Sequence, residues 1–199
     1  MTAPVADRLL TAEEYLELPD SGVPTELVRG RVVEMNVPAP RHGEICVNIV
    51  TLLHPHIKAN KLGRLISNDG GVVTERGPDT VRGGDISFYS YARVPPGPLP
   101  RGYLSVVPEL VFEVRSPTDR WSKVLAKVSE YLDAGVTVVC VLDQISETVQ
   151  VFRQDELRHT LHNSDELHLP DILGDIRVPV QRFFEWGSLT LPCLASGRS

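Results

Sequence analysis

The fold turns on one stretch, Pro108-Glu109-Leu110-Val111-Phe112-Glu113-Val114-Arg115-Ser116-Pro117. Leu110, Phe112 and Val114 alternate onto one face, Val111 and Glu113 onto the other. Apolar residues on both faces describe a central strand covered on both sides. Glu113 therefore points into covered space, where an ionised carboxylate is costly unless a cation or hydrogen-bond donors meet it.

The segments on either side supply candidates to meet it. Downstream, Asp119 to Ala134 reads as a helix whose Trp121, Val124, Leu125, Val128, Tyr131 and Leu132 form an apolar stripe. Lys127 sits at the shoulder of that stripe, within reach of the covered side. Upstream, Gly83-Gly84-Asp85-Ile86-Ser87-Phe88 places an aspartate at the opening of a short apolar strand. Two carboxylates and a lysine converging where a helix covers a sheet is the chemistry of a divalent-metal hydrolase. Carboxylate oxygens suit Mg²⁺ or Mn²⁺. A lysine orients or deprotonates a water, or stabilises charge on a phosphate.

Asp85, then Glu113-Val114-Arg115-Ser116-Pro117, then Lys127, Tyr131 and Ala134-Gly135-Val136, then Val141-Leu142-Asp143, together resemble the Uma2 family of endonucleases. That family lies in the PD-(D/E)XK nuclease superfamily. Thr11 to Leu16, Glu26 to Gly30, His42 to Ile45 and Leu169 to Leu173 agree in order, so the resemblance spans nearly the whole chain. It implies an α/β fold of the restriction-endonuclease type, a mixed central β-sheet flanked by α-helices with additional β-hairpins. It implies DNA as substrate, a homodimer, and products carrying a 5′-phosphate and a 3′-hydroxyl.

The same resemblance assigns roles. Asp85 and Glu113 would be metal ligands, with the backbone carbonyl of Val114 a third. Lys127 would stand for the superfamily's lysine, whose usual place two residues after the glutamate is taken here by Arg115. Arg115 can hold a substrate anion but cannot act as a base. Glu26, opening a strand, is either an exposed strand-end charge or, as the resemblance supports, a third carboxylate at the metal site with a catalytic part. His42, near a helix start, is either a capping or packing residue or a catalytic or phosphate-contact residue. The family usually has proline before its aspartate; Gly84 stands there, preceded by Gly83.

Composition sets limits. The 199 residues are 42% hydrophobic and 23% charged, which describes one globular domain (1–199) with a sizeable core and frayed ends. The net charge of −6 gives no overall basic excess for non-specific DNA binding. Cys46, Cys140 and Cys193 show no CxxC spacing; Cys46 and Cys140 read as small core residues. Their odd number, without a secretory signal, suits the cytoplasm. No stretch approaches a membrane span.

Along the rest of the chain, Thr11 to Glu14 reads as a capping box, and Glu26 to Met35 as a hairpin turning at Arg29-Gly30. A helix runs from His42 to about Leu62, with Pro55 expected to kink or end it. Gly63 to Asn68 and Val72 to Arg76 read as two strands joined by a turn at Asp69-Gly70-Gly71. Tyr91 to Tyr103 is a proline-rich loop whose Arg93 and Arg101 could reach a phosphate. Val136 to Leu142 is a buried strand, followed by a short meander and an irregular tail from Leu167. His54-x-His56 and His159-x-x-His162 diverge on their elements and are not read as zinc sites. Two other functions fit these features: a non-catalytic module binding nucleic acid or protein, its acids kept only for folding, and a metal-dependent phosphoesterase of a small substrate.

Overall fold

The computed structural model describes residues 8–186; the expected frayed ends lie largely outside them. The described elements run in the order α1 (Ala12–Leu16), β1 (Thr25–Val28), β2 (Arg31–Glu34), α2 (Pro40–Ala59), β3 (Gly63–Glu75), β4 (Thr80–Ser90), β5 (Leu110–Arg115), α3 (Trp121–Asp133), β6 (Val138–Asp143), β7 (Thr148–Phe152), β8 (His159–Leu161), β9 (Glu166–His168), α4 (Pro170–Leu173) and β10 (Arg177–Pro179). A 3₁₀ turn, Val180–Phe183, follows.

An eight-stranded sheet has the path β2-β1-β4-β5-β6-β7-β8, with β3 also paired to β4. Its ladders are antiparallel apart from β5 with β6, the two strands that α3 connects. The alternation in β5 sorts the core. Leu110, Phe112 and Val114 join Ile45, Ile49, Leu53 and Ile57 of α2 on one face. Val111 joins Val128 and Tyr131 of α3 on the other. Leu125 stands 40% exposed, outside the stripe expected to bury it.

One detail of the sheet positions the site. Strand β4 pairs with β1 at Val81 and with β5 from Ile86 to Phe88. Both neighbours lie on the side of β4 opposite β3, which runs along nearly its whole length. The sheet therefore forks between Val81 and Ile86. Gly83, Gly84 and Asp85 span the mouth of that fork.

Several local expectations are corrected. α2 runs through Pro55 to Ala59; Pro55 is exposed, and buried Leu53 and Ile57 anchor the helix on either side of it. The expected turn at Asp69-Gly70-Gly71 is a bulge inside one long strand. Asn68 and Asp69 adopt positive φ of 61° and 55°, a region that Asn and Asp tolerate better than most side chains. The tail contains β9, α4, β10 and the 3₁₀ turn, and it buries Phe183 and Phe184 against α2. The hairpin at Arg29-Gly30 has two residues in its loop, both with positive φ, the pattern of a type I′ turn.

Candidate active site at the fork of the sheet

A fork leaves backbone groups without ladder partners, and buried ones must be satisfied some other way. Side chains do so here. Glu26 of β1 accepts the Gly83 N–H through Oε1 at 3.0 Å. Asp85 accepts the Val114 N–H through Oδ2 at 2.6 Å. Lys127 of α3 donates from Nζ to the Gly83 carbonyl at 2.8 Å. Three of the expected site residues are thus tied to the backbone where β4 passes from one neighbour to the other.

They are also tied to one another. Lys127 Nζ lies 3.0 Å from Glu113 Oε2 and 3.2 Å from Glu26 Oε1. The Tyr131 hydroxyl donates to Glu113 Oε1 at 2.9 Å. The second oxygen of Glu26 takes Arg82 at 2.7 Å, and Arg82 forks onto Glu130. On the other side of Asp85, His42 of α2 places Nε2 3.2 Å from Oδ2.

The electrostatics follow from burial and crowding. Burial pushes the Glu113 carboxyl up to about 7; Lys127 and Tyr131 pull it down, and the nearby Asp85 adds to the rise. Burial also acts against the Lys127 ammonium, but Glu113, Glu26 and Asp85 outweigh it and hold the lysine above its ordinary value. Burial works against ionised Glu26 too; Lys127 and Arg82 overcome it and hold that carboxyl low. Burial opposes a charged His42, but hydrogen bonds to Asp85 and Cys46 raise its imidazole to about 10.

Asp85, Glu113, Lys127, Glu26 and His42 therefore converge. Arg115 is engaged elsewhere. It donates to Asp143 Oδ2 and to the Asp119 carbonyl, each at 3.0 Å, and its guanidinium lies 4.9 Å from the Trp121 ring centroid. These contacts hold it at the turn between β5 and α3. Val114 presents its N–H to Asp85. In the proline-rich loop, Arg93 donates to the carbonyls of Val107 and Pro108 and pairs with Glu109, at the end of β5 remote from Glu113.

Sequence reasoning missed three neighbours. Tyr131 was legible as core, and its hydroxyl on Glu113 becomes evident only once α3 is docked. Asp69, read as a turn residue, is brought by the bulge of β3 against Gly83: a Cβ added there would come within 2.9 Å of the Asp69 Cβ. Burial and the Asp85 charge push the Asp69 carboxyl up. Cys46, read as core, is half-buried, with Sγ 3.7 Å from His42 Nδ1. The i, i+4 spacing of His42 and Cys46 was the available signal.

Oxygen donors of the kind a hard divalent ion takes gather here. Glu26, Asp69, Asp85 and Glu113 crowd around one lysine, and Asp69 and Glu113 are both raised by burial and by the Asp85 charge. Asp85 Oδ1 and the Asp69 carboxylate accept no hydrogen bond among the described residues. An oxygen-ligated cation would relieve that excess of negative charge.

Comparison with known proteins agrees with this architecture. The Uma2 family, described as "Putative restriction endonuclease", matches residues 12–181. The chain belongs to the Uma2 family, with its restriction-endonuclease-like fold. Among solved structures, a protein from Anabaena variabilis ATCC 29413, described as a putative nuclease belonging to DUF820, superposes with a TM-score of 0.74 at 19% identity. The match covers 88% of this chain and 97% of that one. No curated protein matches the sequence.

Proposed function

We propose that this member of a nuclease family is an Mg²⁺- or Mn²⁺-dependent endonuclease that hydrolyses DNA phosphodiester bonds by attack of water. The observation that carries the reading is the convergence of Asp85, Glu113 and Lys127 at the fork, with Lys127 donating to Glu113 at 3.0 Å.

Asp85 and Glu113, with the Val114 carbonyl, would hold the ion. Bound there, such an ion would supply Lewis acidity toward a water and the scissile phosphate. Lys127 remains an ammonium in this setting, so its part is to orient the attacking water and to stabilise charge in the transition state. It is not the base. Glu26 holds Lys127 in place and acts as a positioning residue. His42, charged beside Asp85, would set a positive charge near a phosphate oxygen. Arg115 is given the part of a positioning residue for the turn that leads into α3.

A homodimer would present two such sites to two strands. Edge strand β2, with Val32 and Val33 exposed, supports a second copy there. No helix among the described residues is long and apolar enough to cross a membrane. Action in the cytoplasm is consistent with half-buried Cys46 as a free thiol.

The test is nicking of supercoiled plasmid and of a single-stranded circle with Mg²⁺, Mn²⁺ or chelator, beside Glu113→Ala and Asp85→Asn proteins purified identically. Metal-dependent cleavage that both variants lose supports the reading. Equal cleavage by all three proteins overturns the assignment of the site. One observation favours a second reading, a non-catalytic binding module: Lys127 Nζ already donates to the Gly83 carbonyl and to Glu113 and lies 3.2 Å from Glu26. Such a module would bind no Mn²⁺, which calorimetric titration decides.

A further inference from the structure

His42 and Cys46 lie one turn apart on α2, with their side chains toward Asp85 of β4. Nδ1 of His42 is 3.7 Å from Cys46 Sγ, and Nε2 is 3.2 Å from Asp85 Oδ2. One ligand atom from each of the three residues lies within 4.8 Å of the other two. Tetrahedral zinc, with bonds of about 2.0–2.3 Å, spaces its ligands about 3.3–3.8 Å apart. Modest side-chain rotation would bring the trio to that spacing.

The donor chemistry differs from that of the proposed catalytic ion. Nitrogen, sulfur and oxygen in one set suit a borderline-soft cation, and a thiolate discriminates against Mg²⁺ and Mn²⁺. Three protein ligands leave a fourth position for water or a phosphate oxygen.

We propose that His42, Cys46 and Asp85 form a second metal site for a Zn²⁺-class ion, which shares Asp85 with the catalytic site and competes for it. Binding releases two protons to solvent, one from the Cys46 thiol and one from the His42 imidazolium, and bonds the thiolate and the freed imidazole nitrogen to the ion, with no change of oxidation state. Asp85 cannot serve both ions in full, so Zn²⁺ inhibits cleavage supported by Mg²⁺. The inhibition rests on the function proposed above; the site itself does not.

Co²⁺ is the spectroscopic probe, because a cobalt–thiolate bond gives a near-ultraviolet charge-transfer band. Titrations use full-length protein in a Cys193→Ser background, since Cys193 lies outside the described residues; Cys140 is fully buried. The expected result is a band that saturates at one equivalent, is lost in Cys46→Ser and persists in Glu113→Gln. Zn²⁺ competition should show at least a tenfold weaker affinity for Cys46→Ser, on the order of the loss caused even by altering residues that only support a ligand. With Mg²⁺, Cys46→Ser should resist Zn²⁺ inhibition, each protein being compared with its own rate without Zn²⁺. Absence of the band in the parent, or its persistence in Cys46→Ser, overturns the proposal. A normal band in a protein that cleaves nothing would retain the site and reject the nuclease reading.

Discussion

Lys127 reaches from α3 to Glu113 on β5, its Nζ 3.0 Å from Oε2, with both side chains largely shielded from solvent. Glu26 shares the same ammonium at 3.2 Å. A pair of this kind is held less by its own attraction than by the cost of separating it.

Removal of the lysine charge should therefore be severe. Lys127→Met leaves Glu113 and Glu26 facing each other without their common cation, and the Gly83 carbonyl loses its donor. The expected loss is about 3–5 kcal/mol, read from urea denaturation in chelator. The double variant Lys127→Met/Glu113→Leu should recover part of it, because it removes a carboxylate together with its partner. No recovery would mean that the cost lies elsewhere than in the charge cluster.

Glu113 also sets a pH dependence. Its folded carboxyl is raised to about 7 from an ordinary 4.5. The folded state thus holds the proton more tightly than the unfolded chain does. The associated stability is fully present below 4.5 and is lost as pH rises through about 7. In chelator, the wild type should lose stability relative to Glu113→Gln between pH 5 and pH 8, by a few kcal/mol at most. The opposite slope would show that the carboxyl is lowered.

The two glycines before Asp85 have a steric reason at Gly83. A Cβ there would come within 2.9 Å of Asp69 Cβ, a side chain seated on the bulge. Gly83→Ala should shift Asp69 and weaken Mn²⁺ binding by about tenfold while the protein still folds. Gly63→Ala makes the contrast: its Cβ would lie 2.1 Å from the Tyr89 carbonyl oxygen, a backbone contact that should prevent normal folding. Calorimetric Mn²⁺ titration and circular dichroism separate the two outcomes.

Arg115→Lys, which keeps the positive charge, should cost stability. Lysine cannot reproduce the fork onto Asp143 and Asp119 or the stacking on Trp121. The expected loss is about 1–3 kcal/mol, measured by denaturation. Arg115→Gln removes the charge as well, and a fall in the salt slope of nucleic-acid binding by about one unit in that variant would make Arg115 a phosphate contact.

Two features were legible without coordinates. Strand alternation has a period of two and helix amphipathicity a period of 3.6, so Glu113 in a doubly covered strand and Lys127 on the shoulder of a helix follow from neighbours in the chain. The long-range order of the motifs carried the restriction-endonuclease-like fold. Where the sheet forks was not legible. That β4 leaves β1 at Val81 and takes up β5 at Ile86 depends on non-local pairing. So do the Glu26 contact with Gly83 and the Asp85 contact with Val114, which replace ladder bonds the fork removes. The bulge that turns Asp69 toward Gly83 and the packing that sets Cys46 beside His42 and Asp85 are decided in the same way. Local sequence determines which face a side chain takes; only the assembled sheet determines which charges must share that space.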